Sequence, residues 1–295
     1  MRPVPCTLSV VPLLVNADDF GLTPGVNRSV AELHQARVLT SATLMATGAF
    51  FEDAVAVAKS NPTLEVGCHV LLVDGAPALP AAQIPSLCPD GHSLRPTLGR
   101  FAADLHLGRI RASEIEAEAA AQIRRLQAAG LRVSHVDTHK HTHMFPRVLR
   151  PLLRAARACG VPAIRNPFEP AWALRSTTGA GRLRRLQIVA LGSYRRTFRL
   201  QVRAAGLATP DGTLGVLATG TANVESTLLP LLGAVPGGIW ELVCHPGYLD
   251  EHLDRVRTRL RASRAEEHAA LLKLIPRVSP LASWRDLGTR VAPPS

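Results

Sequence analysis

Short apolar runs recur along the chain, and each is followed by a segment with helical patterning. Such runs are typical of buried strands, and strands that alternate with helices indicate an α/β fold with a parallel sheet. In folds of this class the ligand lies outside the carboxyl ends of the strands. The predicted strands are Leu13–Asn16, Val38–Met45, Leu64–Val70, Leu131–Asp137, Val161–Arg165 and Trp240–His245.

Capping residues support the helices between these strands. Pro24 is expected to open a helix over residues 25–37, because proline is favoured at the first helical position. Ser113 is expected to cap a helix that runs to Ala129. Gly160 is expected to close the helix before the fifth strand.

The composition is that of a globular protein. The 295 residues fit one large domain or two small ones, and no apolar run reaches the roughly 18 residues that a membrane-spanning helix needs. Arg2 and the run Leu8–Val15 imitate a signal peptide, but Pro5 and Pro12 interrupt that segment and its end fits the first strand better. Five cysteines without a C-x-x-C spacing predict reduced thiols and a cytoplasmic location.

The formal net charge of +11 is concentrated in one region. Residues 170–210 contain eight arginines and no acidic residue, and they are expected to form a basic helical insertion. That insertion either faces water or lies on an anionic membrane surface. No zinc finger, RNP run or phosphate-binding glycine loop accompanies the charge, so nucleic acid is not an expected partner. Residues 74–111, rich in proline and glycine, are expected to form a long loop over the strand ends.

The densest group of polar residues follows the fourth predicted strand. Four of the eleven histidines fall within nine residues there, and an extended backbone would place the alternate side chains on one face. Neutral imidazole is a common metal ligand, so this group indicates a metal site, with a polar loop as the alternative. The residues that would share the face are His135, Asp137, His139, His141 and His143.

Asp18 and Asp19 directly follow the first predicted strand. Beside a cation, one of two adjacent carboxylates can ligate the metal while the other accepts a proton from water. The alternative is an N-cap for the helix at Pro24, but Thr23 is better placed for that cap.

Single histidines end two other strands. His69 and His245 each follow a cysteine, and strand alternation turns Cys68 and Cys244 away from any pocket that the histidines face. This argues against a thiolate ligand. Arg165 ends the fifth predicted strand, where it is expected either to orient a catalytic carboxylate or to form a surface ion pair.

Four motifs resemble those of the YdjC-like carbohydrate deacetylases, a family that includes chitooligosaccharide and hopanoid-associated deacetylases. The resemblance extends from about Leu13 to Leu272. It implies one domain over residues 1–295 with a distorted (β/α) barrel related to the polysaccharide deacetylases. The motifs are Val15–Leu22 (VNADDFGL), Gly67–His69 (GCH), His135–Pro146 (HVDTHKHTHMFP) and His245–Gly247 (HPG).

The resemblance implies one divalent metal ion, Mg²⁺ or Zn²⁺, held by Asp19, His69 and His139. The implied substrate is an N-acetylated amino sugar, either chitooligosaccharide-like or lipid-linked N-acetylglucosamine. Lys140 stands where some members of the family carry another histidine, and it is expected to influence which sugar is accepted.

The resemblance also implies the acid and base. Asp18 would be the general base with Arg165 as its orienting partner, and His245 would protonate the leaving amine. The products would be acetate and a free amino sugar. The roles of His135, His141 and His143 stay open.

Two other functions fit the same residues. A phosphoesterase could use the His/Asp group, although it would more naturally need a second ion. A catalytically inactive sugar-binding homologue is the other alternative, and the intact Asp18–Asp19 pair argues against it. Besides the sugar, a second copy of the chain and the inner face of the membrane are the candidate partners.

Overall fold

The computed structural model describes residues 11–177, 181–220, 224–277 and 280–288. Six strands form one parallel sheet in the order β4-β3-β2-β1-β6-β5. The strands are β1 Leu13–Phe20, β2 Ser41–Leu44, β3 Glu65–Val70, β4 Val133–Thr138, β5 Thr213–Leu214 and β6 Trp240–Cys244. The helices are α1 Pro24–Gln35, α2 Phe51–Ser60, α3 Leu98–His106, α4 Ala112–Ala128, α5 Pro146–Ala158, α6 Ala171–Ser176, α7 Arg182–Leu191, α8 Arg195–Ala204, α9 Val224–Gly233, α10 Glu251–Asp254, α11 Ser263–Leu274 and α12 Arg285–Gly288.

Residues 162–168 connect the two edges of the sheet and curl it into a distorted barrel. Arg165 N donates to Val136 O of β4 at 3.0 Å, and Thr213 of β5 donates through its side chain to Asn166 O at 2.5 Å. The expectation of an α/β barrel is therefore confirmed. The fifth predicted strand is wrong in detail, because Val161–Arg165 forms only isolated bridges. Two prolines in residues 162–167 remove the donors of a regular ladder.

The helix caps agree in part with the sequence expectations. Thr23 caps α1, since its hydroxyl accepts from Val26 N at 3.2 Å. The predicted cap at Ser113 is wrong, because α4 begins at Ala112. Arg111 occupies the N-cap position and makes no side-chain capping hydrogen bond. Within residues 74–111 the predicted loop contains α3, capped by Thr97. Residues 171–176, 182–191 and 195–204 of the basic segment are helical.

The C-terminal segment closes the amino end of the barrel. Trp284 N donates to Glu65 Oε2 at 2.6 Å, and its indole N–H donates to Ser41 Oγ at 3.0 Å. The indole stacks on His135 with 3.7 Å between ring centroids. His135 is therefore part of the barrel packing rather than of the pocket at the opposite end. Within the described ranges no helix is both long and apolar enough to cross a bilayer.

Gly67 leaves room for this packing, and its replacement tests the arrangement. A Cβ built at Gly67 would lie 2.5 Å from two atoms of the His135 ring, whereas a Cβ at exposed Gly99 would meet nothing within 4 Å. We expect Gly67→Ala to lower the free energy of unfolding by about 1–3 kcal/mol through overpacking. Gly99→Ala should change it by less than about 1 kcal/mol. Urea denaturation of both variants measures the difference, and equal stabilities would contradict the packing.

Candidate metal and catalytic site

The carboxyl ends of strands β1, β3, β4 and β6 meet at one cavity of about 760 Å³. Asp18 and Asp19 come from β1, His69 from β3, His139 from the turn after β4 and His245 from the loop after β6. Successive strand residues normally face opposite sides, yet both aspartates line the cavity. The register of β1 shifts between Ala17 and Phe20, and this irregularity turns both carboxylates to the same side.

Left-handed backbone conformations concentrate around this cavity. Of the five non-glycine residues with positive φ in the described ranges, all but Arg37 line it, namely Asp19, Asp74, Lys140 and His141. Such conformations are costly for residues with a Cβ and are found most often at functional sites. Strand β4 ends at Thr138, and the left-handed residues Lys140 and His141 follow in the turn that begins at His139. The expected alternation from His135 to His143 therefore fails after Thr138.

Asp19, His69 and His139 form a triangle of potential metal ligands. Asp19 Oδ1 lies 3.7 Å from His69 Nε2 and 3.6 Å from His139 Nδ1, and the two ring nitrogens are 3.3 Å apart. These spacings suit ligands that each bind one ion at about 2 Å. Asp19 Oδ1 is buried and accepts no hydrogen bond from the part of the chain that the structure describes. An unsatisfied buried oxygen aimed at two imidazoles fits a cation site.

Asp137 orients His69 from behind. Its Oδ1 lies 2.8 Å from His69 Nδ1, so Nε2 is left to face Asp19 and His139. A carboxylate that fixes the second nitrogen of a histidine is the usual support of a metal ligand. Burial disfavours the imidazolium, but Asp137 and the neighbouring aspartates outweigh it and raise the pKa of His69 to about 9. A bound cation would compete with that proton.

Arg165 is fully buried and holds three carboxylates. It makes a bidentate contact with Asp18, at 2.7 and 2.6 Å, and also pairs with Asp137 and Glu241. Burial favours the neutral form of Asp18, but the Arg165 guanidinium dominates and holds the pKa of that carboxyl well below its usual range. The surface ion pair considered for Arg165 is excluded by its burial. Asn16 and Thr43 also donate to Asp18 Oδ1, at 3.0 and 3.1 Å.

His245 faces Asp18 across the cavity floor. Its Nε2 lies 3.8 Å from Asp18 Oδ2, and its backbone N–H donates to Glu267 Oε2 at 2.5 Å. The cysteine before it is buried and faces away, with Cys244 Sγ 3.2 Å from Asn16 O, and Cys68 is also buried. Burial raises the pKa of both thiols well above the usual value. Their burial agrees with the strand alternation, which turns both cysteines away from the cavity.

The remaining two histidines of the cluster differ in placement. His143 is buried between the hydroxyl of Thr138, at 2.7 Å from Nδ1, and the carbonyl of Arg165, at 3.2 Å from Nε2. His143 therefore links the end of β4, at Thr138, to the backbone of Arg165. His141 lines the cavity, and burial lowers its pKa to about 3. It is therefore a neutral group at the cavity wall.

Sequence reasoning missed two charged residues of this site. Glu241 lies inside β6, and Arg264 is fully buried in α11 with Nη2 2.5 Å from Asp19 Oδ2. A charged residue at position 241, within an otherwise apolar strand, was a usable signal. Arg264 lies among the many arginines of residues 255–264, so no pattern in the sequence singled it out.

The chain matches a family model described as "YdjC-like protein" over residues 12–275. It is 44% identical over 157 residues to a carbohydrate deacetylase of Brevibacillus brevis, covering 53% of this chain and 59% of the relative. A carbohydrate deacetylase of Thermoanaerobacter pseudethanolicus is 26% identical over 241 residues, 82% of this chain and 83% of the relative. The match spans only about half to three fifths of the length of the first curated relatives.

A solved structure from Enterococcus faecalis V583, described as a cellobiose-phosphate cleavage protein, has a similar fold. The TM-score is 0.73 at 25% identity, and the match covers 95% of this chain and 99% of the other. Because the family model spans nearly the whole chain and the solved structure shares its architecture, this protein belongs to the YdjC-like family.

Proposed function

We propose that the protein is a metal-dependent carbohydrate deacetylase that hydrolyses the acetamide of an N-acetylated amino sugar to acetate and a free amine. The observation that carries this proposal is the placement of the triangle Asp19–His69–His139 beside Asp18 and His245 in one cavity. The relatives named carbohydrate deacetylases support the same reaction class.

The triangle would hold one divalent ion. When bound, such an ion polarises the acetyl carbonyl and lowers the pKa of the attacking water. Two imidazole nitrogens and one carboxylate oxygen suit Zn²⁺ or another transition ion better than Mg²⁺, which prefers oxygen ligands.

Asp18 and His245 would move the protons. Arg165 keeps Asp18 ionised at neutral pH, which a group that accepts a proton from water requires. His245 Nε2, on the other side of Asp18, can donate a proton to the departing nitrogen. Arg165 acts through Asp18 as a positioning residue.

A phosphoesterase is less well supported. Two-metal phosphoesterases need a second set of ligands. Among the described residues the second possible group is Asp18, His69 and Asp137, and it shares His69 with the first. Both of its carboxylates are already paired with Arg165. The inactive sugar-binding alternative is also less well supported, because the paired Asp18 and Arg165 would have no catalytic use in a protein that only binds sugar.

Acetate release tests the proposed reaction. Purified protein with added Zn²⁺ or Mg²⁺ should release acetate from N-acetylglucosamine oligomers or from lipid-linked N-acetylglucosamine, measured by a coupled acetate assay. The control is the same panel with glucosamine oligomers that carry no acetyl group. If no member of the panel releases acetate while a phosphate ester is hydrolysed, the phosphoesterase alternative is correct.

Neutralising Asp18 and neutralising Asp19 should have different effects on turnover and on metal content. Asp18→Asn should lower turnover on the order of a hundredfold yet retain the ion, because it removes only the proton acceptor. Asp19→Asn should lose the ion as well, because it removes a ligand. Metal content by mass spectrometry, measured beside turnover, separates the two. If Asp18→Asn loses the ion and Asp19→Asn keeps it, the two roles are reversed.

We further propose that a cytoplasmic location brings α7 against the inner face of the membrane. Helix α7 has no buried residue, and Leu183, Leu186 and Val189 are 70%, 66% and 58% exposed. Arg184 of the same helix lines the cavity and donates to Val216 O and Thr219 O, both at 2.7 Å. An exposed apolar face at the cavity mouth favours a lipid-linked sugar over a free oligosaccharide.

Several arginines of the basic segment are used inside the protein. Arg185 donates to Leu174 O and Thr177 O, and Arg195 donates to Glu169 O at 2.6 Å. The apolar residues are therefore the cleaner probe of a membrane surface.

Cosedimentation with anionic liposomes tests the membrane surface. Replacing Leu183 and Leu186 together with Ser should weaken binding by more than about tenfold, since both side chains would otherwise enter the interface. The matched control is Leu107→Ser, a residue 64% exposed at the end of α3. Binding should weaken with salt. If the wild-type protein does not bind anionic liposomes at low salt, a soluble glycan is the better substrate proposal.

A further inference from the structure

Helix α11 brings a buried guanidinium to the back of Asp19. Arg264 lies in the first turn of α11, and its Nη2 donates to Asp19 Oδ2 at 2.5 Å while Nη1 lies 3.4 Å from His245 O. The arginine is fully buried. It therefore contacts the carboxylate from the side opposite to the two imidazoles, which face Oδ1.

Gly247 makes room for Arg264. A Cβ at Gly247 would lie 3.3 Å from Arg264 Cδ, 3.6 Å from Arg264 Cβ and 3.1 Å from a methyl of Val26. The backbone N–H of Gly247 also donates to Arg264 O at 3.2 Å. The glycine of the His-Pro-Gly motif thus has a physical role, which is to let the start of α11 pack close to the strand ends.

The Asp19 carboxylate depends on this contact for its orientation. Asp19 has a φ of 65°, so its backbone conformation is costly and must be held by its surroundings. Its Oδ1 accepts no hydrogen bond from the described residues, and its Oδ2 accepts from Arg264. Without that donor the carboxylate could rotate, or present both oxygens to a cation.

We propose that Arg264 is a positioning residue that fixes Asp19 so that only Oδ1 is offered to the metal ion. This inference rests on the metal site of the proposed function. The guanidinium satisfies Oδ2 and keeps it out of the coordination sphere, which leaves positions open for water and the acetyl group. Partners of this kind contribute to metal affinity because they orient the ligand before the ion binds.

Metal affinity measures this role without any substrate. Protein stripped with a chelator is titrated calorimetrically with Zn²⁺, and the d–d absorption of bound Co²⁺ reports the coordination geometry. Arg264→Gln should bind Zn²⁺ about 10–100-fold more weakly and change the Co²⁺ spectrum. Arg261→Gln, an exposed arginine of the same cavity, is the matched control and should behave as wild type.

The results separate the inference from the proposed function. Wild-type affinity and an unchanged Co²⁺ spectrum in Arg264→Gln would overturn the role of Arg264 while leaving the metal site intact. Failure of the wild-type protein to bind an ion would overturn both. Melting temperatures of all variants show whether each is folded.

Gly247→Ala gives a second test if Arg264→Gln fails to fold. The added methyl should displace Arg264 and weaken Zn²⁺ binding in the same direction. In a background of Arg264→Lys, which cannot supply both donors of the guanidinium, the glycine substitution should have little additional effect. Residues that act through one another give non-additive changes. Fully additive effects, or unchanged affinity in Gly247→Ala, would contradict the proposal.

Discussion

The buried guanidinium of Arg165 is the interaction on which the site depends. It is inaccessible to solvent and lies between the carboxylates of Asp18, Asp137 and Glu241, which come from three different strands. A charge buried at this depth is tolerated only when it is paired and hydrogen-bonded, and loss of one partner leaves the others uncompensated. Arg165 therefore links the proposed general base Asp18, the Asp137 carboxylate that orients His69, and Glu241 of β6 into one buried unit.

Buried carboxylates outnumber buried guanidinium groups around Arg165 and Arg264. Four buried carboxylates, Asp18, Asp19, Asp137 and Glu241, face the two guanidinium groups of Arg165 and Arg264. Burial and the neighbouring carboxylates raise the pKa of Glu241 to about 7 even though Arg165 opposes that shift. One cation between Asp19, His69 and His139 would satisfy the buried Asp19 Oδ1.

The sequence predicted those parts of the site that follow from strand ends. Asp18, Asp19, His69 and His245 each lie at or directly after a strand, and parallel strands bring such positions to one edge of the barrel. His139 was predicted as a ligand only through the family resemblance, because alternation alone gave five equivalent candidates. In the structure, the left-handed conformations of Lys140 and His141 place these five side chains in different surroundings. No local sequence pattern predicts those conformations.

Contacts between distant segments could not be predicted. Arg264 reaches Asp19 across 245 positions of sequence, and Trp284, which lies outside every motif of the sequence, stacks on His135. Similarly, Val161–Arg165 was expected to form a strand from its apolar character, but this segment, which contains Pro162 and precedes Pro167, forms only isolated bridges. Tertiary packing decides such features, and local propensity does not report it.

We propose that one divalent ion held by Asp19, His69 and His139 makes this cavity hydrolytic. The most direct measurement titrates chelator-stripped protein with Zn²⁺ and follows acetate release from an N-acetylated amino sugar at each step. A single-ion mechanism requires no release without metal and a linear rise that ends at one equivalent per chain. Undiminished release from metal-free protein, or a rise that continues to two equivalents, would contradict it.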